Sequence, residues 1–192
     1  MARLPAPVFL GALVAALAFL AAGCGGGGSE ESEPEGTPPG QWVTSVCGAL
    51  DEWQTSLQNE ARELPSEVLQ ADSPADAKKK IGDFLDQVVD ETDAMVQKVD
   101  EAGNPAVDAG DRIAARVHAR LVKVKAAFES ARQKVEQVPT DDPVAFQQQL
   151  TQIGRQLLAQ GQALGDVLGT ADAEPLRDAV ESTPRCKSFS GS

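Results

Sequence analysis

The chain of 192 residues has no tyrosine and only one histidine, His118, and it has three cysteines, with six phenylalanines and two tryptophans as its aromatic side chains. Each shortage removes a class of chemistry. A di-iron site in a helical bundle needs Glu-x-x-His pairs on two helices, and one histidine cannot make two pairs. Three cysteines and one histidine leave little from which to build a zinc site. No Gly-x-Ser-x-Gly is present, so the strained serine turn of the α/β hydrolases is missing. The one glycine run, residues 25 to 28, opens no helix that could cradle a phosphate. Positive charge is scarce as well: 17 Lys and Arg stand against 29 Asp and Glu, a net charge of −12. Wrapping nucleic acid requires a concentrated basic field, so no nucleic-acid partner is expected. No stretch alternates apolar and polar residues over the length of a strand, which excludes a sheet.

What the sequence does hold begins at its N-terminus. A single positive side chain, Arg3, precedes an apolar segment from Val8 to Ala22, and the segment ends in Leu20-Ala21-Ala22-Gly23-Cys24. A charged start, a short apolar stretch and small residues before a processing point form the pattern of a secretory signal peptide. The small residues before Cys24 resemble the lipobox of bacterial lipoproteins. That resemblance implies a diacylglyceryl thioether on the Cys24 sulfur, cleavage before Cys24 and acylation of the new amino group with a chain such as palmitate. It divides the chain into a signal peptide, residues 1 to 23, and a mature protein held to the cell membrane on its extracytoplasmic side.

The residues after Cys24, GGGGSEESEPEGTPPG, contain nothing apolar enough to pack and four Glu that keep them solvated. They read as a tether over residues 24 to 40, with a reach of about 20 to 25 Å for a flexible coil of that length. Two or three acyl chains anchor stably where one binds only marginally, so the lipid itself is the expected membrane contact.

From residue 41 to 192 the pattern changes to helices. Apolar residues recur at spacings of three and four: Val43, Val46, Leu50, Trp53 and Leu57 in a first segment ending near Leu64-Pro65, then Ile81, Leu85, Val88, Met95 and Val99 with Thr92 in the gap. A third stripe runs from Ile113 through Val117, Leu121, Val124, Phe128, Ala131 and Val135 to Val138. A fourth runs through Phe146, Leu150, Ile153, Leu157, Leu164 and Leu168. These are amphipathic helices. Ser73-Pro74, Asn104-Pro105 and Asp142-Pro143 each place a capping side chain before a proline, a helix-start signal, and Gly103 sits where a helix should end. A short fifth helix is predicted from about 172 to 181. The expected fold is an all-α, up-down-up-down four-helix bundle with a short C-terminal helix.

With Cys24 assigned to lipid, Cys47 and Cys186 remain, and an exported chain in an oxidising compartment is expected to join them. A redox or metal role for that pair would call for a C-x-x-C or a nearby histidine, and neither is there. Two charged or polar faces stand out. Asp83, Asp86, Asp90 and Asp93 line one side of the second helix and are expected to face the basic stripe Arg112, Arg116, Arg120 and Lys123, or water. On the fourth helix Gln147, Gln148, Gln149, Gln152, Gln156, Gln160 and Gln162 form an almost uncharged face on a domain that otherwise carries 16 basic and 25 acidic side chains.

The opening of the domain, Trp42-Val43-x-x-Val46-Cys47-Gly48-Ala49-Leu50-x-x-Trp53, resembles that of small exported helical proteins of actinobacteria. No catalytic residues and no cofactor are expected. The sequence favours a binding or adaptor domain of an envelope lipoprotein, not an enzyme, with a protein partner it does not name. The alternative is an extracytoplasmic carrier of a small apolar ligand or lipid in the bundle core, with Gly154, Gly161 and Gly165 leaving room.

Overall fold

A computed structural model describes residues 35–161 and 173–189. The signal peptide, Cys24, most of the tether, Leu164, Leu168, Gly165 and Gln162 lie outside those residues. The described chain is a helical bundle: α1 (Pro39–Leu69), α2 (Pro74–Glu101), α3 (Gly110–Gln137), α4 (Pro143–Gly161) and α5 (Glu174–Ser182), followed by a 3-10 turn, Pro184–Ser188. The expected all-α fold is the one observed.

Two of the three capped prolines start helices as read. The Ser73 hydroxyl accepts from the Asp76 N–H (3.1 Å) ahead of Pro74. The Asp142 carboxylate accepts from the N–H groups of Val144 (2.9 Å) and Ala145 (3.1 Å) around Pro143. Both satisfy donors that the first helical turn leaves without partners. Asn104-Pro105 does not start a helix, and α3 begins at Gly110. The reason is a long-range partner. The Thr37 N–H donates to the Asn104 carbonyl (2.7 Å) and the Ala106 N–H to the Thr37 carbonyl (2.8 Å), so the backbone around Pro105 is committed to a short parallel bridge. Gly110 then passes so close to Pro105 that a Cβ there would lie 1.9 Å from its carbonyl oxygen. No residue larger than glycine opens α3 on this path.

The same bridge moves the domain boundary upstream. Thr37, Pro39 and Gly40 belong to the folded domain and not to a free tether, and the Thr37 hydroxyl also donates to the Ala102 carbonyl (2.7 Å). At its other end α1 runs on past the expected stop at Leu64-Pro65 to Leu69. Pro65 removes one helical N–H. The helix continues because Val68 is packed against a cluster of Ala77, Val138 and Phe146.

The apolar stripes meet in two regions. A large core joins the N-terminal half of α1 (Trp42, Val43, Val46, Leu50, Trp53) to Met95 and Val99 of α2, to Ile113, Val117 and Leu121 of α3, and to Leu176, Val180 and Phe189 at the C-terminus. Toward the opposite end, α4 lays Phe146, Leu150, Ile153 and Leu157 against the N-terminal half of α2 and the C-terminal half of α3, around Leu85, Ala131 and Val135. The fourth position of the bundle is thus filled by α5 at one end and by α4 at the other.

Candidate functional site

Cys47 on α1 and Cys186 in the 3-10 turn are disulfide-bonded, with 5.2 Å between their α-carbons, and both are fully buried. The bridge joins residues 139 apart in sequence and fastens the C-terminal tail to the start of α1. Cys24, the third cysteine, is outside the described residues.

His118 is half-exposed on α3, and its Nδ1 lies 2.7 Å from an Asp100 carboxylate oxygen on α2. The pair borders an open hollow of about 460 Å³ whose other walls include Trp42, Asn104 and Asp111. The Trp42 indole N–H donates to the Gly103 carbonyl (2.8 Å), which fixes the floor of this hollow where Gly103 ends α2. The lining offers two carboxylates and an imidazole, and it contributes no hydroxyl or thiol that an Asp–His pair could activate.

The acidic side of α2 does meet α3, through a ladder with the spacing of a heptad. Asp100 pairs with His118, Asp93 with Lys125, and Asp86 with Arg132 (2.7 Å). Each step of seven residues down α2 matches seven up α3, as an antiparallel pair requires. The partners seen for the expected acidic stripe are therefore Lys125 and Arg132, in the C-terminal half of α3, while Asp83 pairs with Lys79 on its own helix (2.5 Å). Hydrogen bonding to Lys125 holds the Asp93 carboxyl below the usual carboxylate range and raises the Lys125 ammonium.

Compared with known proteins, the chain matches no family model, no curated protein and no solved structure. Its residues alone carry the argument. Among the described residues, no group of three or more His, Cys, Asp or Glu is placed to hold a metal ion, and no helix is long and apolar enough to cross a membrane.

The glutamine face of α4 is divided. Gln149, Gln152 and Gln156 border a hollow beside Lys134 and Gln137 of α3, where the Lys134 ammonium donates to the Gln156 side chain (2.8 Å). Gln147 and Gln148 are exposed, as are two large apolar side chains of the same helix, Val144 (65 % exposed) and Leu158 (73 %). A Cβ at Gly154 would meet nothing within 4 Å, so close packing does not account for that glycine.

The α1–α2 contact carries polar groups that the apolar stripes do not reveal. The Trp53 indole N–H donates to the Thr92 hydroxyl (3.0 Å), and that hydroxyl donates to the Val88 carbonyl (2.6 Å). Alongside, Lys98 pairs with Glu52 (2.8 Å), the Ser56 hydroxyl donates to Glu91 (3.0 Å), and the Gln87 amide donates to Glu60. A polar seam therefore runs from Glu52 to Glu60 of α1 along Gln87 to Lys98 of α2. The signal was available, since Glu60 occupies the stripe position between Leu57 and Leu64.

Proposed function

We propose that this protein is an acylated lipoprotein of the cell envelope, anchored through diacylglyceryl-Cys24, whose helical bundle acts by binding another protein and not by catalysis. One observation carries the anchor: the Cys47–Cys186 bridge leaves Cys24, at the end of an apolar leader and its small-residue run, as the one cysteine free to take lipid. A disulfide is also what an exported domain would hold. The docking face that the geometry favours is the outer side of α4, where Val144 and Leu158 stand exposed beside uncharged glutamines. Apolar side chains rimmed by neutral hydrogen-bonding groups suit a protein partner. Carriage of an apolar ligand has less support, because the recesses described are open hollows at the surface.

Mass spectrometry of the N-terminal peptide tests the anchor. A mature chain starting at Cys24 with a diacylglyceryl adduct is the expected result, and Cys24→Ser should leave the leader uncleaved. An unmodified chain in the aqueous phase would overturn it. Cross-linking in living cells tests the adaptor role: one recurrent protein, lost on Val144→Glu or Leu158→Glu, is expected. A lipid or metabolite retained without any protein would replace it with the carrier.

A further inference from the structure

Within the polar seam, two carboxyl groups are only half satisfied. Glu60 accepts from Gln87 and Glu91 accepts from Ser56, each through Oε1, while the Oε2 atom of both is shut off from solvent without a hydrogen-bond partner. Ser56 and Glu60 lie one turn apart on α1, and their partners Glu91 and Gln87 lie one turn apart on α2, so the two carboxyls are neighbours across the seam. Two buried carboxylate oxygens facing one another are repulsive when both are ionised, whereas a single proton between them makes one a donor and the other an acceptor.

We infer that Glu60 and Glu91 share one proton in the folded protein and act as a proton-operated clasp between α1 and α2. The proton comes from solvent and returns to it, so no other bond changes. Its loss leaves two like charges in the seam.

The surroundings support this. Across the seam Glu60 faces Glu91 and the neutral Gln87 of α2, and along its own helix it meets Ser56 and Glu63. Of the nearby cations, Lys98 of α2 is taken by Glu52 and Lys125 of α3 by Asp93. Burial first, and then the hydrogen bond to and repulsion from Glu91, push the Glu60 carboxyl up to about 7. Its ordinary value is 4.5, so the stabilisation is complete below that pH and is lost as the pH rises through about 7.

The clasp sits where α1 depends on it. The buried residues of α1 end at Trp53, and beyond that point only the half-buried Leu57, Leu64 and Val68 hold the helix. Opening the clasp loosens the C-terminal half of α1 and uncovers the apolar cluster of Ala77, Val138 and Phe146 that Val68 and Ala71 cover. Mild acid closes this end of the bundle, and neutral to alkaline pH loosens it.

Two measurements on the full chain, with its disulfide intact, test the clasp. Carbon-13 NMR of labelled glutamate carboxyls should show one group titrating near 7, and Glu91→Gln should move that midpoint down, because an amide can donate to Glu60 and carries no charge. Thermal melting between pH 5 and pH 8 should show the wild-type midpoint falling relative to that of Glu60→Gln, by about 3 °C or more. Taking the difference between the two proteins cancels the titrating groups that do not interact with Glu60. The NMR titration decides the matter even if a variant fails to fold. Ordinary carboxylate midpoints for both residues would overturn the clasp. So would loss of the elevated midpoint in millimolar calcium chloride, which would hand the two oxygens to a metal ion.

Discussion

At one end of the bundle, Trp42, Val43, Val46, Cys47 and Leu50 are all but inaccessible to solvent, and the same core receives α5, the tail and the bridge at Thr37. At the other end the fully buried apolar residues are few, among them Ala77, Val138 and Phe146, and most of what packs on them is half-exposed: Val68, Ala71, Leu150 and Ile153. The two ends share helices, composition and an antiparallel register. They differ in what ties them. The first is held by burial and a covalent bridge, the second by thin apolar contacts and the Glu60 end of the polar seam. An end held by few buried contacts opens at lower free energy, so the α4 end is the one expected to exchange amide hydrogens first.

The largest test of this difference is removal of the bridge. Closing a loop of 139 residues is worth on the order of 5 kcal/mol in the chain-entropy model, so Cys47→Ser with Cys186→Ser should lower stability by about 3 to 5 kcal/mol in denaturant unfolding. The loss should appear as earlier exchange in α5 and the N-terminal half of α1. Equal loosening of α4 would show that the two ends are one cooperative unit.

A paired core truncation sharpens the contrast. Leu121 on α3 is completely buried in the first core, and Leu121→Ala should cost about 3 to 4 kcal/mol. Leu150 on α4 is half-buried at the second end, and Leu150→Ala should cost about 1 to 2 kcal/mol. Costs of equal size, measured by thermal unfolding under the same conditions, would remove the distinction.

How much of this the sequence disclosed depends on the range of the interaction. Stripe spacing and the Ser73-Pro74 and Asp142-Pro143 caps are local, and they were legible. The disulfide followed from counting cysteines. What escaped was long-range. Asn104-Pro105 has the local form of a helix start, but its backbone groups are taken by Thr37, far away in the chain. Pro65 has the local form of a stop, but Val68 finds a packing partner beyond it. In the seam, Glu60 on a stripe position was a sign that one helix face does more than pack, yet its partner on α2 cannot be located from spacing. Thr92 is the polar residue whose place in an apolar stripe the spacing does disclose.

That threonine supplies the third test. Thr92→Val keeps the shape but takes away the acceptor of the buried Trp53 indole N–H, at a cost of about 1 to 3 kcal/mol. Thr92→Ser keeps the hydroxyl and should recover most of that part of the loss. If Val were tolerated as well as Ser, the Trp53–Thr92 contact would be packing alone, and the buried polar part of the seam would begin beyond Trp53.

The heptad ladder between α2 and α3 spans both ends, and it should matter least. Asp86 and Arg132 are 2.7 Å apart at the α4 end, but the Asp86 side chain is 56 % exposed, so water competes with the pair. Exposed pairs of this kind contribute about 0.2 to 1 kcal/mol, and Asp86→Asn should fall at or below the lower limit. The Asp93 carboxyl is held low by Lys125, so its contribution is present above the ordinary carboxylate range and is lost as the pH falls from there through its lowered value. The clasp at Glu60 has the opposite sign, losing its contribution as the pH rises through about 7. Acid therefore weakens the Asp93–Lys125 rung while it closes the seam, and Asp86→Asn should leave the melting difference between wild type and Glu60→Gln unchanged from pH 5 to pH 8. A changed difference would mean that the ladder and the seam are coupled through α2, and the α4 end would then have to be treated as one electrostatic unit.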